Sequence, residues 1–220
     1  MTRPAPRISL VGTTGLLFDP SDGPFQDSIQ ERLWAMADEI SHVPGVEEAV
    51  PGMNNCLITF DPLRLSHAAA SSLLTGLWAT AQPRAVTGKL VEIPTLYGGA
   101  QGEDLALWAG HCGLSAEEVV RRHAAAEYRV AAVGSMPGFA YLSGLDPALT
   151  MARRQSPRPR VAKGAVIIGG SQAGVMPMQA PSGWHIIGHC ALELLDLSQT
   201  PPALLAPGDR VRFAIAGFSG

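Results

Sequence analysis

The sequence predicts an α+β protein in two parts, the first with two helices on a small sheet and the second mostly β-strand. Glycine and proline together account for 42 of the 220 residues, against a usual ~12%, so the chain turns often. Hydrophobic residues make up 46% and charged residues 16%, which excludes a disordered, charge-rich chain. The charge also changes along the chain, with five bases and nine acids in residues 1–88 and eleven bases and ten acids in residues 89–220.

The boundary between the parts is predicted in the segment 81–88, which reads AQPRAVTG. Proline and glycine bound this stretch and interrupt any regular element, as is typical of a linker. We therefore place the domains at residues 1–84 and 85–220.

In the first part the pattern predicts the order β-α-β-α. A strand is expected from Ile8 to Phe18, and Pro24 can open a helix at its first position. More strand is expected from Val46 to Phe60, and Ser66 can cap a second helix. The apolar residues that give the first helix one buried face recur every three or four positions: Phe25, Ile29, Leu33, Met36 and Ile40. Two helices on a small antiparallel sheet indicate a ferredoxin-like unit.

The second part opens with a strand from Leu90 to Tyr97 and a short helix through Trp108. Ser115 and Glu118 have the spacing of a capping box, which starts a further helix that runs to about Ala126. Strands separated by turn residues then favour a barrel or a sandwich. They are expected at Tyr128–Val130, Val166–Gly169, Trp184–Gly188, Leu192–Leu197 and Val211–Ile215.

Composition also restricts the location and the partners. No signal peptide and no run of 18 apolar residues is written in the chain, so we expect no membrane span. Cys56, Cys112 and Cys190 are odd in number and form no C-x-x-C pair, which favours a reducing cytoplasm over a disulfide framework or a zinc knuckle. The net charge of −3 gives no indication of nucleic-acid binding.

Two glycine clusters could be mistaken for nucleotide sites. Gly169–Gly174 has phosphate-loop spacing, but Val175 stands where a lysine is needed and Pro177 blocks the helix that should follow, so we predict a tight β-turn. Gly98–Gly102 precedes a helix, but the acidic residues that follow it, Glu103 and Asp104, would repel a phosphate. We interpret this cluster as the entry to a helix.

The histidines do not predict a metal site. His185 and His189 fall on a predicted strand, where four residues span ~13 Å, too far to share one ion. Cys112 follows His111, which leaves open a Cys–His nucleophile or a small buried thiol. His123 lies near the end of the capped helix, where it can bind the last carbonyls.

Cations dominate the stretch between Pro147 and Leu192, which contains no acid. Its five basic residues are Arg153, Arg154, Arg158, Arg160 and Lys163. Cations without counter-charge repel one another unless they are solvated or bind an anion, and the arginine fork suits carboxylate or phosphate. The run therefore predicts either an anion site or a solvated loop.

Residues Met136–Asp146 (MPGFAYLSGLD) resemble the PGFAYLxGLD signature of the allophanate hydrolase subunit 1 family. The resemblance extends over nearly the whole chain. It includes Tyr97-Gly98-Gly99, Gly102-x-Asp104-Leu105, Glu127-Tyr128, Arg153-Arg154, Pro157-Arg158, Gly183-Trp184, Ile187-Gly188 and Pro207-Gly208-Asp209.

This resemblance implies a ferredoxin-like N-terminal domain and a cyclophilin-like β-barrel C-terminal domain. It implies the B subunit of an ATP-dependent 5-oxoprolinase, inactive alone, which forms with a barrel partner (the C subunit, also called allophanate hydrolase subunit 2) the part that phosphorylates 5-oxoproline. A third protein of the complex completes the ring opening to glutamate. ATP with Mg would bind in the assembled complex, and no metal is expected in this chain alone.

The resemblance also suggests roles for individual residues. Arg153, Arg154 and His123 are the expected catalytic residues. The residues expected to bind substrate or anion are Arg158, Gly138, Phe139, Tyr141, Trp184 and His189.

Departures from the family pattern lie in the barrel part, at Ser135, Ala152, Ala162, Met176, Ser182 and His189-Cys190-Ala191. They affect the expected substrate more than the fold. Two alternatives therefore stay open. Besides the 5-oxoprolinase subunit, they are a KipI-like regulatory protein that inhibits a histidine kinase and the carboxyltransferase half of a urea-carboxylase-like system.

Overall fold

A computed structural model describes residues 6–83 and 88–220. The contacts within it divide the chain into two units, Met1–Val86 and Thr87–Gly220. Residues 84–87 of the predicted linker lie outside the described residues.

The N-terminal unit is a four-stranded antiparallel sheet with two helices, and its strand order is β1-β2-β4-β3. Its elements are β1 (Arg7–Val11), β2 (Gly15–Asp19), α1 (Asp27–Ser41), β3 (Val46–Pro51), β4 (Cys56–Phe60) and α2 (His67–Thr80). The single strand predicted from Ile8 to Phe18 is wrong, because the chain turns back at Gly12 (φ 62°) and forms a hairpin. The order is thus ββαββα.

The apolar face predicted for α1 is confirmed, although this helix begins at Asp27 and not at Pro24. Leu33, Met36 and Ile40 are fully buried, and they belong to the same core as Phe18 and Phe60 of the sheet. Ser66 caps α2 as predicted, since its hydroxyl accepts a hydrogen bond from the Ala69 amide at 3.2 Å. The ferredoxin-like class of this unit stays a prediction.

The C-terminal unit is built on a closed seven-stranded barrel with the order β10-β7-β6-β13-β5-β12-β9, and a two-stranded ribbon, β11-β8, accompanies it. Its helices are α3 (Leu105–Cys112) and α4 (Ala116–Ala125). Its strands are β5 (Leu90–Gly98), β6 (Tyr128–Val133), β7 (Ala140–Ser143), β8 (Arg158–Val161), β9 (Ala165–Gly169), β10 (Gln172–Val175), β11 (Ala180–Ser182), β12 (His185–His189) and β13 (Arg210–Ser219).

The prediction of a barrel or sandwich is confirmed as a barrel, with local differences. The strand predicted at Leu192–Leu197 is wrong, because only an isolated bridge joins Leu195 to Ala203. Strands β7, β8, β10 and β11 were not predicted, because three or four residues are too few to show an alternating pattern. The predicted β-turn is present, as residues 170 and 171 join β9 to β10 in a hairpin.

The capping box predicted for α4 is only half formed. The Ser115 hydroxyl accepts from the Glu118 amide at 3.1 Å. The Glu118 carboxylate does not return to the start of the helix but accepts from Arg121 and Arg122 at 2.7 Å. Charge-assisted hydrogen bonds to arginine are stronger than a hydrogen bond to a neutral amide. The Glu118 carboxylate therefore binds the two arginines instead of the amide at the start of the helix.

Aromatic side chains fill the inside of the barrel around one histidine. We call this group the interior cluster: Tyr97, Trp108, His123, Tyr128 and Phe213, each at most 2% exposed. The His123 ring lies 4.5 Å from the Phe213 ring, and its Nδ1 is 2.8 Å from the Tyr97 hydroxyl. The barrel is therefore a packed core.

Within the described part of the chain, no helix has the length and apolar character that a membrane crossing requires.

Candidate functional site

A pocket of about 170 Å³ opens on the barrel unit beside the ribbon. The start of β7 with its preceding turn contributes to the lining, as do β11 and the two residues that follow it. Its lining residues are Ser135, Met136, Phe139, Tyr141, Arg153, Met176, Pro181, Ser182, Gly183 and Trp184. The family signature thus lies in the wall of a cavity and not only in the core.

Three aromatic rings form the apolar part of this pocket. We call Phe139, Tyr141 and Trp184 the pocket cluster, whose ring centroids are 4.9, 5.7 and 6.0 Å apart in edge-on pairs. Such pairs are stabilising and keep the rings in fixed orientations. The Tyr141 hydroxyl has no hydrogen-bond partner among the described residues, so it is available to a ligand.

One cation completes the pocket. The Arg153 guanidinium lies 5.5 Å from the centroid of the Trp184 ring, within the range of a cation–π contact. Within residues 6–83 and 88–220 it has no carboxylate partner. A planar, charged fork held on an aromatic face and left unpaired can bind a carboxylate in two-point fashion.

The arginines next to it are paired by a carboxylate from the N-terminal end of α3. Arg158 donates to both oxygens of Asp104 at 2.9 and 2.8 Å, and Arg154 donates at 3.3 Å. Arg158 also pairs with Glu103 at 3.1 Å. Burial raises the pKa of Asp104, but the hydrogen bonds from Arg158 and from the Ile186 amide outweigh it, so the pKa lies below its ordinary value.

These ion pairs correct the expectation that the basic run has no counter-charge. Lys163 is also paired, with Glu193 at 2.6 Å. Arg154 and Arg158, predicted as catalytic and anion-binding, are held by Asp104 and do not line the pocket. The fold therefore brings acids from distant parts of the sequence to Arg154, Arg158 and Lys163, and leaves Arg153 as the member of the run that lines the pocket.

Of the other predicted site residues, the structure brings Arg153, Phe139, Tyr141 and Trp184 together in the pocket. Gly138 lies beside it in the turn before β7, where a φ of +77° suits glycine.

His123 and His189 lie elsewhere. His189 bonds to the Lys163 carbonyl at 3.1 Å and does not line the pocket. His123 has no exposed area, and burial lowers its pKa to about 3. A neutral ring without access to solvent cannot touch a substrate in this structure, so its position is that of a packing residue.

The half-buried Cys112 does not carry the signs of a nucleophile. Burial, together with the nearby Asp146, raises the pKa of its thiol, whereas a nucleophilic cysteine needs a lowered one. The three cysteines are free thiols. No group of three or more His, Cys, Asp or Glu side chains in the described residues could hold a metal ion.

Sequence reasoning missed the role of Asp104 and the contribution of Met176 and Ser182 to the pocket. From the sequence, Asp104 was interpreted only as a charge that would repel phosphate. A signal for its role was nonetheless present, because adjacent acids at 103 and 104 stand against a run of arginines that lacks any acid. Met176 and Ser182 gave no such signal, since they stand out only as departures from a family pattern.

The candidate site thus lies on a closed barrel and combines three aromatic rings with Arg153, which has no carboxylate partner among the described residues. The chain belongs to the family described as carboxyltransferase domain, subdomain C and D, whose model matches residues 6–205. It is 41% identical over 207 residues to the B subunit of 5-oxoprolinase from Escherichia coli O157:H7, covering 94% of both chains. It is 37% identical to the same subunit from Haemophilus influenzae, covering 86% of this chain and 88% of that one.

Solved structures agree with this assignment. The crystal structure of TTHA0988 matches 94% of this chain with a TM-score of 0.77 at 37% identity, and this chain spans only 40% of it. The urea amidolyase of K. lactis matches 97% of this chain with a TM-score of 0.84, and this chain spans 15% of it. The latter identity is 19%, so that likeness is one of fold alone.

Proposed function

We propose that this chain is the B subunit of an ATP-dependent 5-oxoprolinase. With a barrel partner of the C type it would phosphorylate 5-oxoproline, and a third protein would complete the ring opening to glutamate. The observation that carries this proposal is the unpaired Arg153 over Trp184 in an aromatic pocket. The curated relatives named as the B subunit of 5-oxoprolinase support it.

The pocket suits the two halves of 5-oxoproline. Its carboxylate carries one charge and matches the single fork of Arg153. Its five-membered ring is mostly apolar and can lie against the pocket cluster, while the Tyr141 hydroxyl can donate to or accept from the lactam group. In this arrangement the chain binds and orients the substrate, and Trp184 and Phe139 exclude water from one side of it.

The same pocket does not fit the triphosphate of ATP. One unpaired guanidinium faces a cavity of about 170 Å³, whereas a triphosphate carries several charges that need several donors or a metal. We therefore assign ATP and its Mg to the assembled enzyme.

The test is a coupled assay with the purified proteins of the complex. ATP hydrolysis is expected to require 5-oxoproline and the barrel partner, and this chain alone should be inactive. Replacement of Arg153 by Ala should weaken 5-oxoproline binding by roughly ten- to hundredfold, the loss of one charge-assisted contact of ~1.5–3 kcal/mol. Arg153→Lys should restore only part of the affinity, because a point charge does not replace the fork.

The matched control is Arg160→Ala, which removes an exposed arginine of β8 that does not line the pocket. It should leave 5-oxoproline binding unchanged. Loss of affinity in both variants would mean that net charge, and not the pocket, attracts the substrate. An assembled complex that hydrolyses no ATP with 5-oxoproline would reject this substrate.

A second candidate is a carboxyltransferase half in a biotin-dependent, urea-carboxylase-like system. The family description and the fold shared with the K. lactis urea amidolyase favour it. Carboxyl transfer to urea by the purified complex, with no response to 5-oxoproline, would establish it. The KipI-like inhibition of a histidine kinase stays an untested prediction.

A further inference from the structure

The arginine strap, which we define as residues 151–158, is attached to the barrel on both sides of Arg153. The Met151 amide donates to the Gly170 carbonyl at 3.2 Å. The His185 ring bonds the Ala152 carbonyl at 2.9 Å, and the Arg154 amide donates to the Gly183 carbonyl at 2.8 Å. The backbone around Arg153 is therefore fixed, and the arginine side chains differ only in the direction in which each one points.

Asp104 sets these directions through its hydrogen bonds to two of the arginines. The residue is 4% exposed, and its carboxylate accepts from three parts of the fold: the Arg154 side chain, the Arg158 side chain, and the Ile186 amide at 2.8 Å. Arg153 and Arg154 are neighbours in the sequence, yet one lies over Trp184 and the other is bound to the carboxylate.

The ion pair also supports the wall of the pocket. Arg158 belongs to β8 and pairs in register with Ser182 of β11, and Ser182 lines the cavity. One carboxylate thus connects α3, the strap, the ribbon and β12. Since a partly buried carboxylate bound to two guanidinium groups is costly to break, this connection is rigid.

We infer that Asp104 is the positioning residue of the pocket, which binds Arg154 and Arg158 so that Arg153 alone presents its charge to the ligand over Trp184. The inference rests on the proposed function in that the ligand is the carboxylate of 5-oxoproline. Without Asp104, three adjacent cations would compete for one anion and for the aromatic face. Asp104 itself touches no substrate and acts through Arg153.

The first experiment measures the geometry directly and needs no substrate. Iodide and acrylamide quench the fluorescence of the full chain, and the share from Trp184 is obtained by difference from the Trp184→Phe variant. Iodide concentrates beside unpaired cations, and Asp104→Asn removes a negative charge and frees Arg154 and Arg158, so this variant should raise the iodide-to-acrylamide quenching ratio of Trp184 by about threefold. Arg153→Ala should lower the ratio instead, because the cation beside Trp184 is lost. An unchanged ratio in Asp104→Asn would overturn the inference.

The matched control is Glu118→Gln. Glu118 is also a carboxylate bound to two arginines, Arg121 and Arg122, but on the exposed face of α4. Its replacement should leave the quenching ratio of Trp184 unchanged. If Asp104→Asn fails to fold, Arg154→Gln removes one link and keeps the Asp104–Arg158 pair. It should leave the quenching ratio of Trp184 nearly unchanged, because Asp104 neutralises Arg154, and a decrease as large as that of Arg153→Ala would overturn the inference.

The second experiment uses the assembled enzyme. Asp104→Asn should raise the KM for 5-oxoproline by about tenfold and change kcat by less than about twofold. In a double-mutant cycle, Asp104→Asn should add nothing to Arg153→Ala, because it acts through that side chain. Additive losses, or tighter binding by Asp104→Asn, would show that Arg154 and Arg158 are themselves the anion ligands.

The two experiments can reject the positioning role and the proposed substrate independently of each other. A raised quenching ratio in Asp104→Asn with no response of turnover to 5-oxoproline would leave the positioning role intact and reject the proposed substrate. An unchanged ratio would reject the positioning role whatever the substrate is.

Discussion

The interior cluster and the pocket cluster of the barrel unit are both built from aromatic side chains, but they differ in whether their polar atoms find hydrogen-bond partners within the protein. In the interior cluster most polar side-chain atoms find partners within the protein: the Tyr128 hydroxyl donates to the His123 carbonyl at 3.0 Å, and the Trp108 indole donates to the Leu149 carbonyl at 2.8 Å. The exception in this cluster is the buried Nε2 of His123. In the pocket cluster the Tyr141 hydroxyl has no partner among the described residues, and neither does the guanidinium of Arg153 beside it. Satisfied polar atoms mark a core, and unsatisfied ones at the edge of a cavity mark a binding site.

The largest expected effect is on the interior cluster. Phe213→Ala should lower the free energy of unfolding by about 3–5 kcal/mol, because it leaves a cavity among rings that cannot collapse into it. The measurement is denaturant unfolding followed by circular dichroism. The control is Phe218→Ala on the same strand, where the ring is 43% exposed, and its loss should be much smaller. Equal losses would remove the distinction between a packed interior and its surface.

A second effect depends on pH. Burial lowers the pKa of His123 to about 3, so the folded protein keeps this ring neutral while the unfolded chain protonates it near its ordinary value. The stability that His123 contributes is therefore complete above about pH 6.5 and falls as the pH decreases. Between pH 7 and pH 5 the free energy of unfolding should decrease by about 2 kcal/mol from this group alone.

The variant that tests this prediction is His123→Gln, which is less stable at pH 7 but lacks the titrating ring. Its disadvantage against the parent should shrink by that amount at pH 5. His111→Gln, which removes an exposed ring of α3, should leave the pH dependence unchanged. A constant difference between parent and His123→Gln across this range would contradict the buried neutral ring.

A third, smaller effect concerns the backbone that carries the pocket cluster. Gly138→Ala should cost roughly 1–2 kcal/mol, because an L-residue is strained at positive φ and its Cβ would approach the Leu195 Cβ to 3.1 Å. Thermal unfolding measures this cost. Gly134→Ala is the control, since an added Cβ there meets nothing within 4 Å. If both variants cost the same, the turn before Phe139 does not need its glycine.

The smallest expected effect on stability is at Arg153, and it distinguishes the pocket most clearly from the packed interior. Arg153→Gln should change the free energy of unfolding by less than about 1 kcal/mol, because the guanidinium has only its contact with the Trp184 ring to lose and no ion pair among the described residues. The same measurement on Arg160→Gln should give an equally small change. A loss near that of Phe213→Ala would mean that Arg153 stabilises the fold rather than serving a ligand.

The sequence predicts the parts of the site that depend on local patterns, and it does not predict contacts between residues far apart in the chain. Phe139, Tyr141 and Trp184 could be assigned because they stand in long family motifs, and Arg153 because it belongs to a basic run. The pairing of Arg158 with Asp104 could not, because these residues are 54 positions apart and no local pattern links α3 to β8. The burial of His123 could not be predicted for the same reason, since only the closed barrel excludes this ring from solvent.

The sequence by itself determined the presence of the helices, the serine caps of α2 and α4, and the contrast between helices on a small sheet and a strand-rich remainder. These depend on hydrophobic spacing, capping residues and turn residues, all of which act within a few positions. The tertiary structure alone decided which cations are neutralised. Charge pairing depends on distance in space, and the fold brings Asp104 to Arg154 and Arg158 while it leaves Arg153 over Trp184.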